Sequence, residues 1–227
     1  MEACVTDFDG RPVRFVWNYT RAEIIADGVV HALGVALGLA GAVVLIALAI
    51  NSSRGVHIVS AAIYAFGLLA VLGLSAAYNM WPISRLKWWL RRFDHSAIYL
   101  LIAATYTPFL LHLKGGVLSF GMLAAIWLVA TVGIVIKLAL PGRFDRLAVA
   151  LYLLLGWSGI LLYDSIVSAL SPTTLALLAA GGVLYSVGVI FHVWQGLRFQ
   201  NAIWHGFVLV AALCHYFAVL ETVAFAG

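Results

Sequence analysis

Charge is what this chain has least of. Only 10% of its 227 residues are Asp, Glu, Lys or Arg, against about 25% in a soluble domain. So thin a coat cannot cover a globule of this size in water, which excludes an ordinary soluble domain and makes lipid the natural solvent for most of the surface. Cysteine is nearly absent too. Cys4 lies in the polar N-terminal stretch and Cys214 deep in the last apolar run, positions that give no reason to expect a disulfide. Long basic tracts are missing: Lys and Arg sit in short segments between apolar runs, so no nucleic-acid partner is expected. A cleavable leader is not expected either. Residues 1–23 are largely polar, and the apolar run that follows is longer than a signal h-region, so it reads as a retained first span.

Apolar residues fill the space that charge leaves. They make up 64% of the chain, and mean hydropathy is +1.06. Stretches free of Asp, Glu, Lys and Arg cover 28–53, 55–84, 95–113, 115–136, 147–163, 165–197 and 199–220. Each is about as long as a membrane helix needs, roughly 17 to 25 residues, or longer. Ser171-Pro172-Thr173 reads as a capping serine with proline at the first helical position, so the sixth span should start near Thr173. The expected fold is an all-α membrane protein, a seven-transmembrane helix bundle. Its spans fall near 24–50, 56–80, 94–113, 116–138, 146–167, 173–195 and 202–225. Residues 1–23 form a cytoplasmic tail and 24–227 the membrane domain. Eleven Lys and Arg residues fall in the segments of one side and only Arg54 and Lys114 on the other. The positive-inside rule therefore predicts a cytoplasmic N-terminus and an external C-terminus. Trp81, Trp88 and Trp89 read as anchors at the cytoplasmic interface, and Gly34-xxx-Gly38 as a close helix contact.

Polar side chains inside lipid are costly and are therefore the first functional candidates. On this topology Asp27, His31, Ser75, Asn79, Asp94, His95, His192, Asn201 and His205 all fall within about three turns of the cytoplasmic face. Asp27/His31, Ser75/Asn79 and Asn201/His205 are i,i+4 pairs, each on one face of its helix. Five helices thus offer polar groups at one depth, which predicts a polar cavity open to the cytoplasm. Asp27 and His95 lie nearest the headgroups, where a polar residue needs no functional reason. The outer half is poorer, with His215 and Glu221 as the main polar groups.

The stretch Leu90-Arg-Arg-Phe-Asp-His-Ser-Ala-Ile-Tyr-Leu-Leu-Ile-Ala-Ala-Thr-Tyr-Thr-Pro-Phe109 closely resembles a signature of the hemolysin III proteins, the bacterial branch of the adiponectin and progestin receptor superfamily. The stretches 23–31, 202–210 and 215–220 support the resemblance. It implies seven helices with a cytoplasmic N-terminus, agreeing with the charge count. It also implies a zinc ion near the cytoplasmic side. The ligands would be a His ending a Ser-xxx-His motif on the second helix and the two His of a His-xxx-His motif on the seventh. The serine and the Asp opening the third helix would support a bound water. The positions that match are Ser75, Asp94 and His205. At the other two ligand positions stand Asn79 and Asn201, whose amide oxygens are weak donors to zinc. The metal site is therefore expected to be degenerate, and tight zinc binding would need His31, His95 or His192 to be recruited.

The expected function is that of a hemolysin III-like protein of the bacterial inner membrane, binding or sensing a lipid in the cytoplasm-facing cavity or serving membrane homeostasis. Some superfamily members are similar to ceramidases, so the resemblance also implies a zinc-dependent lipid amide hydrolase. Asp94 would then orient or deprotonate the water, His205 hold the metal and Ser75 hydrogen-bond around it. A third class is a redox protein with haem held by two of His31, His192, His205 and His215. A transporter would need repeats and paired broken helices, which the sequence does not offer.

Overall fold

The structure, a computed structural model, describes residues 2–6, 12–16, 19–52, 54–113, 116–140, 144–194 and 196–224. A short antiparallel hairpin, β1 (Glu2–Thr6) with β2 (Pro12–Val16), precedes the membrane domain. Helices follow in the order α1 (Arg21–Asn51), α2 (Gly55–Met80), α3 (Arg85–His112), α4 (Val117–Ala139), α5 (Asp145–Trp157), α6 (Tyr163–Ala169), α7 (Pro172–Val193) and α8 (Gln200–Ala224). A 3₁₀ turn over Ser158–Leu162 joins α5 to α6. These three pieces form one column, so the bundle has seven.

Among the described residues, six columns are long and apolar enough to cross a membrane. The shortest of the unbroken ones, α7, has 22 residues, about 33 Å at 1.5 Å per residue, against a hydrocarbon core of about 30 Å. Large apolar side chains point outward along their length, Val43 at 71% exposed and Phe66 at 66% among them. Such a surface is at home only in lipid. Helix α3 is not among the six, and its position explains why. It packs against α2, α4, α5 and α8, so its polar residues face protein. Ser96, Thr105 and Thr107 are buried, and each hydroxyl donates to a carbonyl one turn back. On the other flank α8 packs against α7 and α1.

Two helix starts show how local chemistry sets the boundaries. Ser171 accepts from Thr174 N with Pro172 at the first helical position, as the sequence predicts. By contrast α3 starts nine residues before the expected 94. Ser84 accepts from Lys87 N at 3.3 Å, and the helix runs on through Arg91 and Arg92 because protein groups receive their charges. Arg92 Nη1 donates to Leu138 O at the end of α4, and Arg91 Nη2 to Asp145 Oδ2 at 2.8 Å. Trp88 departs from expectation as well. It is 7% exposed, with Arg91 and Arg92 over its ring, whereas Trp81 and Trp89 do reach the surface. Gly38 lies against Leu72 of α2, where an added Cβ would come within 2.6 Å of the Leu72 side chain. The close helix contact is therefore made by α1 on α2.

Candidate metal centre and cavity

The polar groups gather where α1, α2, α3, α7 and α8 approach one another. Thr20 caps α1 by accepting from Glu23 N, and Glu23 Oε2 in turn accepts from Thr20 N at 2.8 Å. Glu23 Oε1 also accepts from Phe199 N at 3.0 Å, tying the start of α1 to the loop that leads into α8. This clamp sets the register of α1 against α8 and brings Asp27 to His205.

His205 Nδ1 donates to Asp27 Oδ1 at 2.6 Å. His31 Nε2, one turn above Asp27 on α1, lies 3.6 Å from the same oxygen. The two imidazole rings are 4.4 Å apart between centroids. All three side chains are largely shielded, with Asp27 at 6%, His31 at 7% and His205 at 12% exposed. One ligand atom from each lies within 4.8 Å of the others, so the trio is close enough to hold a metal ion. Among the described residues His31 Nε2 is buried with no partner within hydrogen-bond distance, Asp27 Oδ1 at 3.6 Å being just beyond it, the condition of a nitrogen whose lone pair or proton has an unmet use. Asp27, expected near the headgroups and among the cavity candidates, is buried at the centre of the trio, and the Glu23–Phe199 contact holds this end of α1 against α8.

The positions that carry the family motif behave differently. Asn79 Nδ2 donates to Ser75 O at 2.9 Å and lies 3.4 Å from Ser75 Oγ, so its amide is engaged within its own helix. Asn201 interacts with Tyr19. Asp94 is buried with Ser75 as a hydrogen-bonding neighbour and His205 and His31 within electrostatic reach. His95 is drawn away to Asp145, 3.9 Å off, and His192 stacks near Trp204 at 4.9 Å between centroids. Of His31, His95 and His192, His31 is in ring contact with His205, and His192 is within its electrostatic reach.

Ser75, Asn79, Asp94, His95, His192, Asn201, His31 and His205 all line one cavity of about 1860 Å³, with Asp27 behind the two histidines. The cavity is polar at this end. Toward the opposite end its walls turn apolar, with Ile98, Leu101, Phe109, Leu110, Leu170 and Leu175. It lies between the fifth column and the rest of the bundle, since α3, α5, α6, α7 and α8 all contribute walls. His215 lines it deeper, its Nε2 3.4 Å from Leu178 O. Glu221, the other polar group of the outer half, accepts from Ser171 and Thr174 at 2.7 Å each. It therefore caps α7 and needs no further role.

At the mouth, Asp145 opens α5 just outside the apolar stretch 147–169. Lys137 Nζ donates to it at 2.6 Å and Arg91 at 2.8 Å. Burial works against its ionisation, but the Lys137 hydrogen bond and the Arg91 charge outweigh burial and hold the carboxyl below its usual value.

Comparison with known proteins gives the family. The haemolysin-III related family matches residues 21–216. The chain is similar to "Hemolysin-3 homolog" of Bacillus subtilis (strain 168), 40% identical over 202 residues, 89% of this chain and 95% of the relative. It is also similar to "Hemolysin-3" of Bacillus cereus, 36% identical over 198 residues, covering 87% and 90%. A more distant likeness is to human "Monocyte to macrophage differentiation factor", 34% identical over 168 residues, 71% of this chain and 69% of the relative. With seven helical columns, an apolar outer surface and a family match over nearly all of the membrane domain, the chain is an integral membrane protein that belongs to the hemolysin III family.

Proposed function

We propose that this protein binds a membrane lipid, its polar group at the Asp27–His31–His205 end of the cavity and its hydrocarbon along the apolar walls. The observation that carries this reading is the polarity gradient of one continuous cavity. Along α3 the lining runs from Trp88 to Leu110, and from the Asp94 carboxyl to Leu110 alone is sixteen residues or about 24 Å of helix. One leaflet of hydrocarbon is about 15 Å thick, half of the 30 Å core, so the space takes a whole acyl chain from the adjacent leaflet. The setting is the bacterial inner membrane with the polar end toward the cytoplasm, supported by the loop charges and by the Bacillus relatives.

The test is lipid extraction and mass spectrometry on detergent-purified protein, native against Ala179→Trp. Ala179 lines the cavity on α7, and an indole there fills the tail space. The expected result is a lipid class enriched in the native protein over an unrelated membrane protein purified alongside, and lost in the variant. Equal lipid content in all three samples removes this reading.

A second reading rests on Asp94, hydrogen-bonded to Ser75 and within electrostatic reach of His205. It is a metal-dependent lipid amide hydrolase. A cation held there would lower the pKa of a bound water and polarise the amide carbonyl. Within that reading Asp94 accepts the proton, Ser75 orients the Asp94 carboxyl, and the apolar walls hold the acyl chain away from water. Asp94→Asn should then leave lipid bound and stop turnover, measured as release of free fatty acid from an N-acyl lipid.

A further inference from the structure

The resemblance implies metal ligands at 79, 201 and 205, and the asparagines present at two of these do not suit a transition-metal ion. Asn79 spends its amide on the Ser75 carbonyl and hydroxyl, and a neutral amide oxygen is a poor partner for a borderline-soft cation. A different donor set stands beside it. We propose that the chain holds a divalent transition-metal ion through Asp27, His31 and His205, a centre in which α1 supplies two of three protein ligands. This goes beyond lipid binding and does not depend on it.

Three observations carry the assignment. The donor atoms lie within 4.8 Å of one another. The His31 imidazole is 7% exposed, its Nε2 has no hydrogen-bond partner among the described residues, and that nitrogen lies 3.6 Å from Asp27 Oδ1. Asp27 and His31 are one helical turn apart, so the fold of α1 alone fixes their relation, and α8 adds His205 through the Glu23–Phe199 clamp. Two imidazoles and one carboxylate form a donor set used both by zinc hydrolase sites and by non-haem iron sites. Both metals tolerate such donors, and both leave coordination positions open. The open side here is the cavity that His31 and His205 line. The carboxylate also resolves the electrostatics: a dication in a buried site needs a fixed anion close by, and Asp27 supplies one where the motif residues Asn79 and Asn201 supply none.

The experiment uses full-length protein in detergent, stripped by chelator and dialysed against Zn²⁺, Fe²⁺ (anaerobically), Mn²⁺ or Co²⁺ in separate arms. Elemental analysis reads stoichiometry, thermal unfolding reads stabilisation by mass action, and the visible spectrum of the Co²⁺ form reads coordination. The expected result is about one ion per chain with zinc or iron, and a Co²⁺ spectrum showing nitrogen ligation. Asp27→Asn and His31→Gln should each weaken binding by more than the 10- to 100-fold that losing an outer-shell group costs. Asn79→Ala should not. Asp27→Asn is the discriminating change, because an Asn oxygen still accepts from His205 Nδ1 and only the ligand charge is lost. Helicity and unfolding temperature of the metal-free variants, compared with the metal-free native protein, separate lost ligation from lost folding. No bound ion in the native chain with any of the four metals overturns the proposal. So does retention of the ion in either Asp27→Asn or His31→Gln. Loss in Asn79→Ala with retention in His31→Gln would return the metal to the motif positions and overturn it as well.

Discussion

Lys87 shows what a single charge does in this bundle. It is 1% exposed, yet its ammonium is not idle: Nζ donates to the carbonyls of Tyr78, Asn79 and Trp81 at 2.7, 3.2 and 2.8 Å. The last carbonyls of a helix have no partner within it, and a lysine folded back onto them satisfies several at once while sitting at the negative end of the dipole. Lys87→Met keeps the length and removes the donors. It is expected to cost about 2 kcal/mol, since buried carbonyls lose their partner. The measurement is thermal unfolding in detergent, and an unchanged midpoint would mean that water replaces the ammonium at no cost. The same scale explains why Asp27 was hard to weigh from sequence. Its spacing to His31 is plain in the chain, but its burial depends on Glu23 reaching Phe199 N, 176 residues away. No local pattern reports such a contact. The resemblance pointed to Ser75, Asp94 and His205, and the structure places all three on one cavity. Asn79 and Asn201 were legible as departures, and the gathering of Asp27, His31 and His205 was visible only in three dimensions.

At the level of elements, the fifth column is where the helical pattern gives way. Its 3₁₀ turn at 158–162 leaves backbone groups without regular partners, and Tyr106 of α3 takes them up. Its hydroxyl donates to Gly156 O at 2.7 Å and accepts from Gly159 N at 2.8 Å. Tyr106→Phe should raise amide exchange at 157–162 while leaving α3 protected, as read by hydrogen exchange in detergent. Uniform exchange across both segments would show that the turn does not rely on the hydroxyl. The N-terminal end of the same column is held by Asp145. Because its carboxyl is depressed in the fold, its contribution is complete above the unfolded carboxylate pKa of about 3.9. It is lost as pH falls through the lower folded value. Asp145→Asn should therefore lower the unfolding midpoint at pH 7, and the gap to the native protein should close as the pH is taken well below 4. A gap independent of pH would assign the loss to packing. The sequence located this column but not its break. A run of Leu, Gly, Trp and Ser reads as a continuous apolar span, and only the arrival of Tyr106 from another helix makes a 3₁₀ turn affordable there. Likewise the start of α3 at Arg85 was hidden. Four basic residues in eight suggest a loop until Asp145 and the carbonyl ends of α2 and α4 are seen to receive them.

For the whole molecule, the placement of its Lys and Arg residues predicts which way it faces. The structure groups the polar end of the cavity with the start of α1, the end of α2, the start of α3 and the end of α7, through Thr20, Asn79, Arg91 and His192. The end of α4 and the start of α5 join them through Lys137 and Asp145. Eleven Lys and Arg residues belong to this end by sequence, and Arg54 and Lys114 to the other. Burial of Lys87 and pairing of Lys137 do not weaken the asymmetry, because the positive-inside effect acts on Lys and Arg during insertion and is not a net-charge rule. Exposed Trp81, Trp89 and Trp194 at the same end suit an interfacial belt but do not give its side. The expectation is that this end is cytoplasmic and the C-terminus external. In a background of Cys4→Ser and Cys214→Ser, single cysteines can be placed at the exposed positions Pro82 and Val117, at opposite ends of α3. A membrane-impermeant maleimide should label Val117→Cys in spheroplasts, and Pro82→Cys only after permeabilisation. Labelling of Pro82→Cys in sealed spheroplasts would reverse the orientation. The cavity would then draw its ligand from the outer leaflet, and a metal at Asp27, His31 and His205 would load from outside the cell, while the geometry of the site itself would stand.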